Sequence, residues 1–228
     1  MKKPAEIIHP VPFENDADSQ GRLDQRRWEF DFKNEIIVTN KTPVDVLFIG
    51  DSITNICELN AYYRKFGFIV NRGISGDTAQ VLARRFMADA VQINPKLTVM
   101  LIGINNTWII NEAEDAEKAA EDCYKIIITS YTDILEKVKE YGMKLIFCSI
   151  LPIKGCHRLQ KELIVRINAK IKELCSEYGC VYADLYPHML AENGVDMSDE
   201  YSQDGCHPNA IGFNKMAELI TPLIEKGL

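Results

Sequence analysis

The chain has 228 residues, of which 46% are hydrophobic, so it is long enough for one sizeable core and we expect a single folded unit. Its formal net charge is −7, and an acidic surface repels phosphate backbones, which argues against a nucleic-acid partner. The longest apolar runs, such as Leu97–Ile102, are far too short to cross a bilayer, which argues against a membrane span.

Residues 1–43 differ in pattern from the rest of the chain. They begin with a loop-like, proline-containing stretch and continue into a predicted helix near Arg22–Ile36. The two lysines near the start have no apolar stretch behind them, so this segment does not resemble a secretory signal. We therefore expect residues 1–43 to form an extension packed on a main domain of residues 44–228.

From residue 44 onward, short apolar runs rich in β-branched residues alternate with longer amphipathic stretches. Near-continuous apolarity predicts strands that are buried on both faces, as in parallel sheets. The predicted strands are Val44–Ile49, Phe68–Asn71, Leu97–Ile102, Lys144–Ile150 and Cys180–Leu185. The predicted helices are Thr78–Ala90, Ala113–Tyr141, Leu159–Tyr178 and Asn209–Ile224. This order predicts a three-layer α/β/α domain with right-handed crossovers.

Residues with capping or stop signals flank these helices. Asp77 or Thr78 can cap the helix at Thr78–Ala90, because both side chains accept hydrogen bonds from free N–H groups. Gly142 and Gly179 follow the next two helices, where glycine commonly ends a helix.

The seven cysteines are odd in number and include no Cys-x-x-Cys pair. Most of them lie inside apolar segments, where a free cysteine behaves as a small hydrophobic residue. We therefore expect reduced thiols and a cytoplasmic location.

Four polar segments punctuated by glycine or proline follow the predicted strands. In a parallel α/β sheet, ligands bind beyond the carboxyl ends of the strands. The residues at those ends are Gly50–Thr54, Asn71–Thr78 and Gly103–Asn106, with Asp204–Asn209 following the last strand after a loop. We expect the four segments to converge on one edge of the sheet.

Ser52 lies where the first predicted strand turns into a helix. A serine at such a turn is presented at the sheet edge, and its own N–H can stabilise developing negative charge. The local sequence is Gly-x-Ser-x-Thr, which differs from the Gly-x-Ser-x-Gly elbow of the α/β-hydrolases. Ser52 is the candidate nucleophile, and the alternative is that it only caps a helix predicted at Thr54–Asn60.

His207 is the candidate base among the four histidines of the chain. Asp204 precedes it by three residues, and in a tight turn this spacing can place a carboxylate against Nδ1 and leave Nε2 for the serine. One alternative is a turn in which Asp204 only caps backbone N–H groups. Another is a metal pair, but two ligands without a third at sensible spacing make a poor site.

Gly76 and Asn105 are the candidate oxyanion donors, together with the N–H of Ser52. Acyl transfer needs two or three donors aimed at the tetrahedral oxygen. The alternative is that the glycine only shapes a tight turn and the asparagine only caps a helix. The occurrence of all four segments in this order, at strand ends, favours a single catalytic site.

These segments resemble the four sequence blocks of the SGNH hydrolases, also called the GDSL esterase/lipase family. The matching blocks are Gly50-Asp51-Ser52, Gly73–Thr78, Gly103–Asn106 and the pair Asp204 and His207. The third block of the family usually reads Gly-x-Asn-Asp, and here Asn106 replaces the aspartate. The Asn-Asn pair is similar to that of the platelet-activating-factor acetylhydrolase-like branch.

The resemblance implies a serine esterase with a flavodoxin-like sheet of five parallel strands and no metal or organic cofactor. It implies Ser52, Asp204 and His207 as the triad, and Ser52, Gly76 and Asn105 as the oxyanion hole. The expected substrate is a small-molecule ester. Most connections are short and no long apolar insertion is seen that would form a lipase lid, which favours a short acyl group, such as acetyl, on a carbohydrate. Trp108 is a candidate for stacking on a sugar ring, and its alternative role is packing.

Other functions remain open at this point. One is a lysophospholipase or thioesterase activity at the same site. Another is a flavodoxin-like protein that binds a nucleotide or flavin, with the phosphate held at Gly73-x-x-Gly76. Against it, the sequence contains neither Gly-x-Gly-x-x-Gly nor Gly-x-x-x-x-Gly-Lys-Ser/Thr, the two common phosphate-binding motifs. A third is a catalytically silent binding module on the same fold, against which the retained serine, aspartate, histidine and asparagine argue. The sequence predicts no particular oligomeric state.

Overall fold

Helix α1 (Gln20–Thr39) opens the part of the chain that the computed structural model describes, which is residues 20–228, with side chains described from residue 26. The helix predicted at Arg22–Ile36 is thus confirmed and extends further at both ends. The proline-containing start that precedes it lies outside the described residues. Phe30, Asn34 and Ile37 are buried, so they form the face of α1 that packs on the rest of the molecule.

Five parallel strands form a single sheet in the order β2-β1-β3-β4-β5. Their bounds are β1 (Val46–Gly50), β2 (Ile69–Gly73), β3 (Leu97–Leu101), β4 (Leu145–Cys148) and β5 (Val181–Ala183). All five predicted strands are confirmed, although β4 and β5 are shorter than expected. The chain leaves the sheet after Cys148, where the Ser149 hydroxyl oxygen accepts hydrogen bonds from the N–H groups of Leu185 and Tyr186, each at 2.9 Å.

Helices cover both faces of the sheet. One face carries α4 (Ala79–Phe86), α6 (Ala116–Glu140) and α7 (Arg158–Tyr178), and the other carries α2 (Ser52–Ile56), α3 (Leu59–Tyr63) and α8 (Ala210–Gly227). Alternate residues of β1 point to opposite layers, so Leu47 and Ile49 join the first core while Val46 and Phe48 join the second. The predicted three-layer α/β/α architecture is confirmed.

Two local expectations need correction. The single helix expected at Thr54–Asn60 is two short helices, α2 and α3, and the amide of Asn71 satisfies the Thr54 carbonyl near the break with a hydrogen bond of 2.9 Å. The expected cap of α4 is also wrong, because Thr78 occupies the N-cap position without a capping side-chain hydrogen bond. Among the described backbone N–H groups at the start of α4, the Asp77 carboxylate accepts a hydrogen bond only from that of Thr78, which lies before the helix begins.

Candidate active site

Ser52 is the first residue of α2 and directly follows the turn from β1. Asp51 caps this helix, because its Oδ1 accepts a hydrogen bond of 3.0 Å from the N–H of Ile53. The cap is therefore supplied by the neighbouring residue, and the alternative of Ser52 as a mere cap does not hold. The Ser52 hydroxyl lies 2.9 Å from Nε2 of His207, across 155 residues of sequence.

Asp204 and His207 lie in a tight turn before α8. Asp204 Oδ2 lies 2.7 Å from Nδ1 of His207, while Oδ1 accepts hydrogen bonds from the N–H groups of Cys206 and His207 at 2.9 and 2.8 Å. The carboxylate thus caps the turn with one oxygen and orients the imidazole with the other. Partial burial opposes ionisation, but these hydrogen bonds outweigh it and hold the pKa of Asp204 well below its usual range.

Gly76 lies in the loop between β2 and α4 with φ of +84°, a backbone conformation that L side chains rarely adopt. A Cβ at this position would meet no atom of the described residues within 4 Å, so it is the backbone conformation that favours glycine here. The loop is drawn against α2 at Gly73, where a Cβ would lie only 2.2 Å from the main-chain nitrogen of Asn55. The Gly76 loop is thus held close to the helix that begins with Ser52.

Asn105 lies in α5 (Ile104–Thr107), the short helix that follows β3. Its amide nitrogen donates a hydrogen bond of 2.8 Å to the carbonyl oxygen of Asp77, the residue after Gly76. A side-chain amide has two N–H donors, so one remains for a ligand. The structure therefore brings the third polar segment onto the second, as expected from their positions at the same edge of the sheet, although β2 and β3 lie on either side of β1.

Asn106 caps α4 from a different part of the chain. Its Oδ1 accepts a hydrogen bond of 2.9 Å from the N–H of Ala79, and its amide donates one of 2.7 Å to Oε1 of Gln80. The sequence did not predict this cap. The signal for it was the asparagine at the position where the family usually has aspartate, since both side chains offer the oxygen that a free helix N–H needs.

Asp51 directly precedes the candidate nucleophile, and its carboxyl group is buried. No role for this residue was predicted from the sequence. It is fully buried, and within the described residues its Oδ2 has no hydrogen-bond partner. Burial raises the pKa of Asp51 to about 7, with the nearby Asp77 adding to the effect. The side chain is therefore only partly ionised near neutral pH.

Trp108 begins the 3-10 turn Trp108–Asn111 directly after α5, and 38% of its surface is exposed. Its neighbour Ile109 is 59% exposed. An apolar surface of this kind beside Asn105 can contact a substrate, and the stacking role stays a prediction.

Neither a metal cluster nor a membrane span is found in the part of the chain that the structure describes. Among residues 20–228, no group of three or more histidine, cysteine, aspartate and glutamate side chains is arranged to hold a metal ion. No helix in the same range is long and apolar enough to cross a bilayer.

Two curated relatives share sequence with this chain, and both are named acetylxylan esterase. The protein from Xylanibacter ruminicola is 26% identical over an alignment of 150 residues, and the match covers 60% of this chain and 30% of that protein. The protein from Geobacillus stearothermophilus is 32% identical over an alignment of 87 residues, and the match covers 28% of this chain and 40% of that protein. The matched region thus spans less than half the length of each relative.

Solved structures share the fold over most of the chain. A protein from Streptococcus pneumonia named for platelet activating factor has a TM-score of 0.70 at 22% identity, covering 89% of this chain and 94% of its own. A GDSL-like lipase from Bacteroides thetaiotaomicron has a TM-score of 0.66 at 24% identity, with coverages of 86% and 98%. A mutant of the acetylxylan esterase Axe2 from Geobacillus stearothermophilus has a TM-score of 0.62 at 19% identity, with coverages of 79% and 94%.

The sequence model of one family covers most of the chain. It matches residues 48–214, a range that includes all four polar segments at the sheet edge. The expected resemblance is therefore confirmed, and the chain belongs to the GDSL-like lipase/acylhydrolase family.

Proposed function

We propose that this protein is a serine esterase that hydrolyses short-chain esters, above all acetyl esters, of a soluble substrate such as a carbohydrate. The observation that carries this proposal is the continuous contact from Ser52 Oγ to His207 Nε2 at 2.9 Å and from His207 Nδ1 to Asp204 at 2.7 Å. Membership of an acylhydrolase family supports ester chemistry, and the two acetylxylan esterases among the relatives support an acetyl group on a sugar.

The proposed reaction runs through an acyl-enzyme. Ser52 Oγ attacks the ester carbonyl carbon while His207 Nε2 takes its proton, and Asp204 stabilises the imidazolium that forms. The proton then passes to the alkoxide oxygen of the leaving alcohol as the ester C–O bond breaks. A water molecule repeats the sequence, losing a proton to His207 and releasing the acid and the free serine.

The negative charge that develops on the carbonyl oxygen needs fixed donors. We assign this role to the free N–H of the Asn105 amide and to the backbone N–H groups of Gly76 and Ser52. The bond from Asn105 to Asp77, at 2.8 Å, supports this assignment because it fixes the amide before substrate arrives.

Acyl-chain length and alcohol type are tested with a graded series of esters. We expect the purified protein to hydrolyse p-nitrophenyl acetate faster than the butyrate and octanoate esters, and to release acetate from acetylated xylo-oligosaccharides. Preference for lysophospholipids or for acyl-CoA thioesters would replace the proposed substrate class. Absence of hydrolysis with every ester would favour a silent binding module.

Ser52→Ala is the matched control for these assays. We expect this variant to lose ester hydrolysis while its melting temperature stays near that of the wild type, because the hydroxyl is removed without disturbing the Asp51 cap. A fluorophosphonate probe should label Ser52 of the wild type, as read by mass spectrometry of the digested protein. Label on another residue, or near wild-type turnover by the variant, would contradict the assignment.

We also propose a cytoplasmic location. The support is that all seven cysteines are free, and that burial raises the pKa of several thiols, such as Cys57 and Cys123, each to about 12, which keeps them protonated and unreactive. Fractionation of the native host followed by immunodetection tests this, and recovery outside the cytoplasmic fraction would contradict it.

A further inference from the structure

The Arg85 side chain is fully buried beneath the candidate site, and all five of its N–H donors are used. Two hydrogen bonds go to Asp77 Oδ2, at 2.8 and 2.6 Å, and one goes to Asp89 Oδ2 at 2.9 Å. The other two go to the main-chain oxygens of Gly50 and Arg72, at 3.1 and 3.0 Å. One guanidinium thus joins the carboxyl ends of β1 and β2 to the loop that contains Gly76.

Asp77 connects this guanidinium to the proposed oxyanion donors. Its side chain is held by Arg85, its main chain directly follows Gly76, and its carbonyl oxygen receives the hydrogen bond from Asn105. When one N–H of a side-chain amide is held by a fixed carbonyl, the direction of the other N–H is fixed as well. The position of Asp77 therefore sets where Asn105 aims its free donor.

The same cluster reaches α1 through Asn34, which is fully buried. The Asn34 amide donates to Asp89 Oδ1 at 2.7 Å, and its oxygen accepts from Nε of Arg72 at 2.9 Å. Asp89 therefore bridges Asn34 and Arg85 with its two oxygens. Hydrogen bonds, joined through the covalent structure of Asp77, therefore connect α1 to the amide of Asn105.

The charges of this cluster favour a role in positioning neighbouring groups over a role in stabilising the fold. Its two guanidinium groups and two carboxylates cancel in formal charge, and each of Arg72, Arg85, Asp77 and Asp89 is at most 4% exposed. Such a cluster is weak support for stability, because desolvation offsets most of the attraction between buried ions. The arrangement instead fixes the orientation of the groups that Arg85 contacts, since a guanidinium holds its five donors in a rigid fork.

We propose that Arg85 and Asn34 are positioning residues for the oxyanion hole, so that helix α1 sets the rate of acyl transfer through Asp89, Arg85 and Asp77. This inference rests on the proposed esterase function. It gives α1, which lies within the extension predicted at residues 1–43, a role in the geometry of the active site.

The first test is a double-mutant cycle between Asn34 and Asn105, with kcat and KM measured on p-nitrophenyl acetate. We expect Asn34→Ala to lower kcat about 10-fold or more with KM nearly unchanged, because small displacements of catalytic groups far from the mutation can cost as much as about 100-fold. In an Asn105→Ala background the same substitution should have little further effect, because the group that it positions is gone. An equal loss in both backgrounds would overturn the proposal.

Asn168→Ala is the matched control for Asn34→Ala. Asn168 is also a buried helix asparagine, and its side chain bonds to the main chain of Ile150 at 2.8 and 2.9 Å; within the described residues it makes no hydrogen bond to Asn105 or to the Arg85 cluster. We expect both variants to lose thermal stability, but only Asn34→Ala to lose kcat well below the melting temperature. If kcat follows the loss of stability equally in the two variants, the role of Asn34 is structural only.

Arg85→Lys gives a second test that does not depend on Asn34. It keeps the positive charge between Asp77 and Asp89, but an ammonium group has only three donors and cannot make the five observed bonds. We expect a folded protein with lowered kcat and nearly unchanged KM. Wild-type kcat in this variant would overturn the role of the guanidinium fork.

A readout without turnover separates this inference from the proposed function. The side-chain amide signal of Asn105 in a ¹⁵N–¹H spectrum is identified by its loss in Asn105→Asp. We expect Asn34→Ala to shift this signal and Asn168→Ala to leave it in place. If the wild type hydrolyses no ester, the esterase proposal fails while the spectrum still decides the positioning role, and an unmoved Asn105 signal in Asn34→Ala overturns it.

Discussion

Asn105→Ala separates an oxyanion donor from a residue that only shapes a loop. If the amide contacts the oxyanion, its benefit arises only in the transition state, and ground-state binding of the ester should barely change. We expect kcat to fall by on the order of 10²–10³, which corresponds to about 2.7–4 kcal/mol, with KM nearly constant.

The same substitution should have only a small effect on the free energy of unfolding. Asn105→Ala also removes the hydrogen bond to the Asp77 carbonyl, a loss of about 1 kcal/mol. For a chain of this size that energy lowers the melting temperature by about 2–4 °C, which leaves the protein folded under assay conditions. A loss of kcat on the order of 10²–10³ therefore cannot come from unfolding.

Asn106→Ala is the control, because it changes the neighbouring residue in the same way. Asn106 caps α4 through Ala79, so its loss costs about 1 kcal/mol of stability, similar to that of Asn105→Ala. We expect a similar shift in melting temperature but a much smaller change in kcat. Comparable modest losses in both variants, following stability, would refute an oxyanion role for Asn105, and a defect mainly in KM would mean that Asn105 binds substrate.

Two further predictions concern the charged groups around Ser52. We expect His207→Ala to reduce kcat more than Asp204→Asn, because the histidine transfers the proton while the aspartate orients and stabilises it; the reverse order in steady-state assays would mean that His207 is not the base. For Asp51, the folded-state pKa of about 7 lies above the ordinary value of 3.8, because burial favours the protonated form. The free energy of unfolding is therefore highest below pH 3.8 and falls as the pH rises towards 7, by on the order of 4 kcal/mol at most. Asp51→Asn keeps the oxygen that caps Ile53 and removes this titration, so its melting temperature relative to the wild type should rise between pH 4 and pH 8. A difference that stays constant across that pH range would show that Asp51 ionises freely in the folded protein.

The sheet and its site edge could be predicted because their signals are local. Runs such as Leu97–Ile102 are apolar at every position but one, and such near-continuous apolarity is typical of strands buried on both faces. Ser52, Gly76 and Asn105 each follow such a run within a few residues, so strand prediction alone places them at one edge. The contact of Asp204 with His207 could be expected from a spacing of three residues in a turn.

The cap of α4 and the break after α2 could not be predicted, because each depends on a partner distant in sequence. Ala79 receives its cap from Asn106, 27 residues later, although Thr78 carries the local signal. The helix that begins at Ser52 stops early, and Asn71, 17 residues later, satisfies the carbonyl oxygen of Thr54. Local propensity therefore located these helices but did not determine their ends.

Arg85 was missed for a related reason. In sequence it is one of two adjacent arginines inside the predicted helix Thr78–Ala90, and arginine is ordinarily exposed. Its burial depends on main-chain oxygens of Gly50 and Arg72, which come together only in the folded sheet. The one local signal was Asp89 four residues later, a spacing that places opposite charges on the same helix face.

The two halves of the candidate site differ in how they are supported. The proton-transfer half consists of His207 and Asp204 and lies in a surface turn, where these two side chains are 39% and 57% exposed. The oxyanion half is tied to Asp77 and Arg85, which are fully buried. Proton transfer to and from solvent-derived water requires access, whereas an oxyanion hole works only if its donors do not reorganise during the reaction. The burial pattern matches these opposite demands, because the base is accessible and the proposed donors are anchored to the interior of the fold.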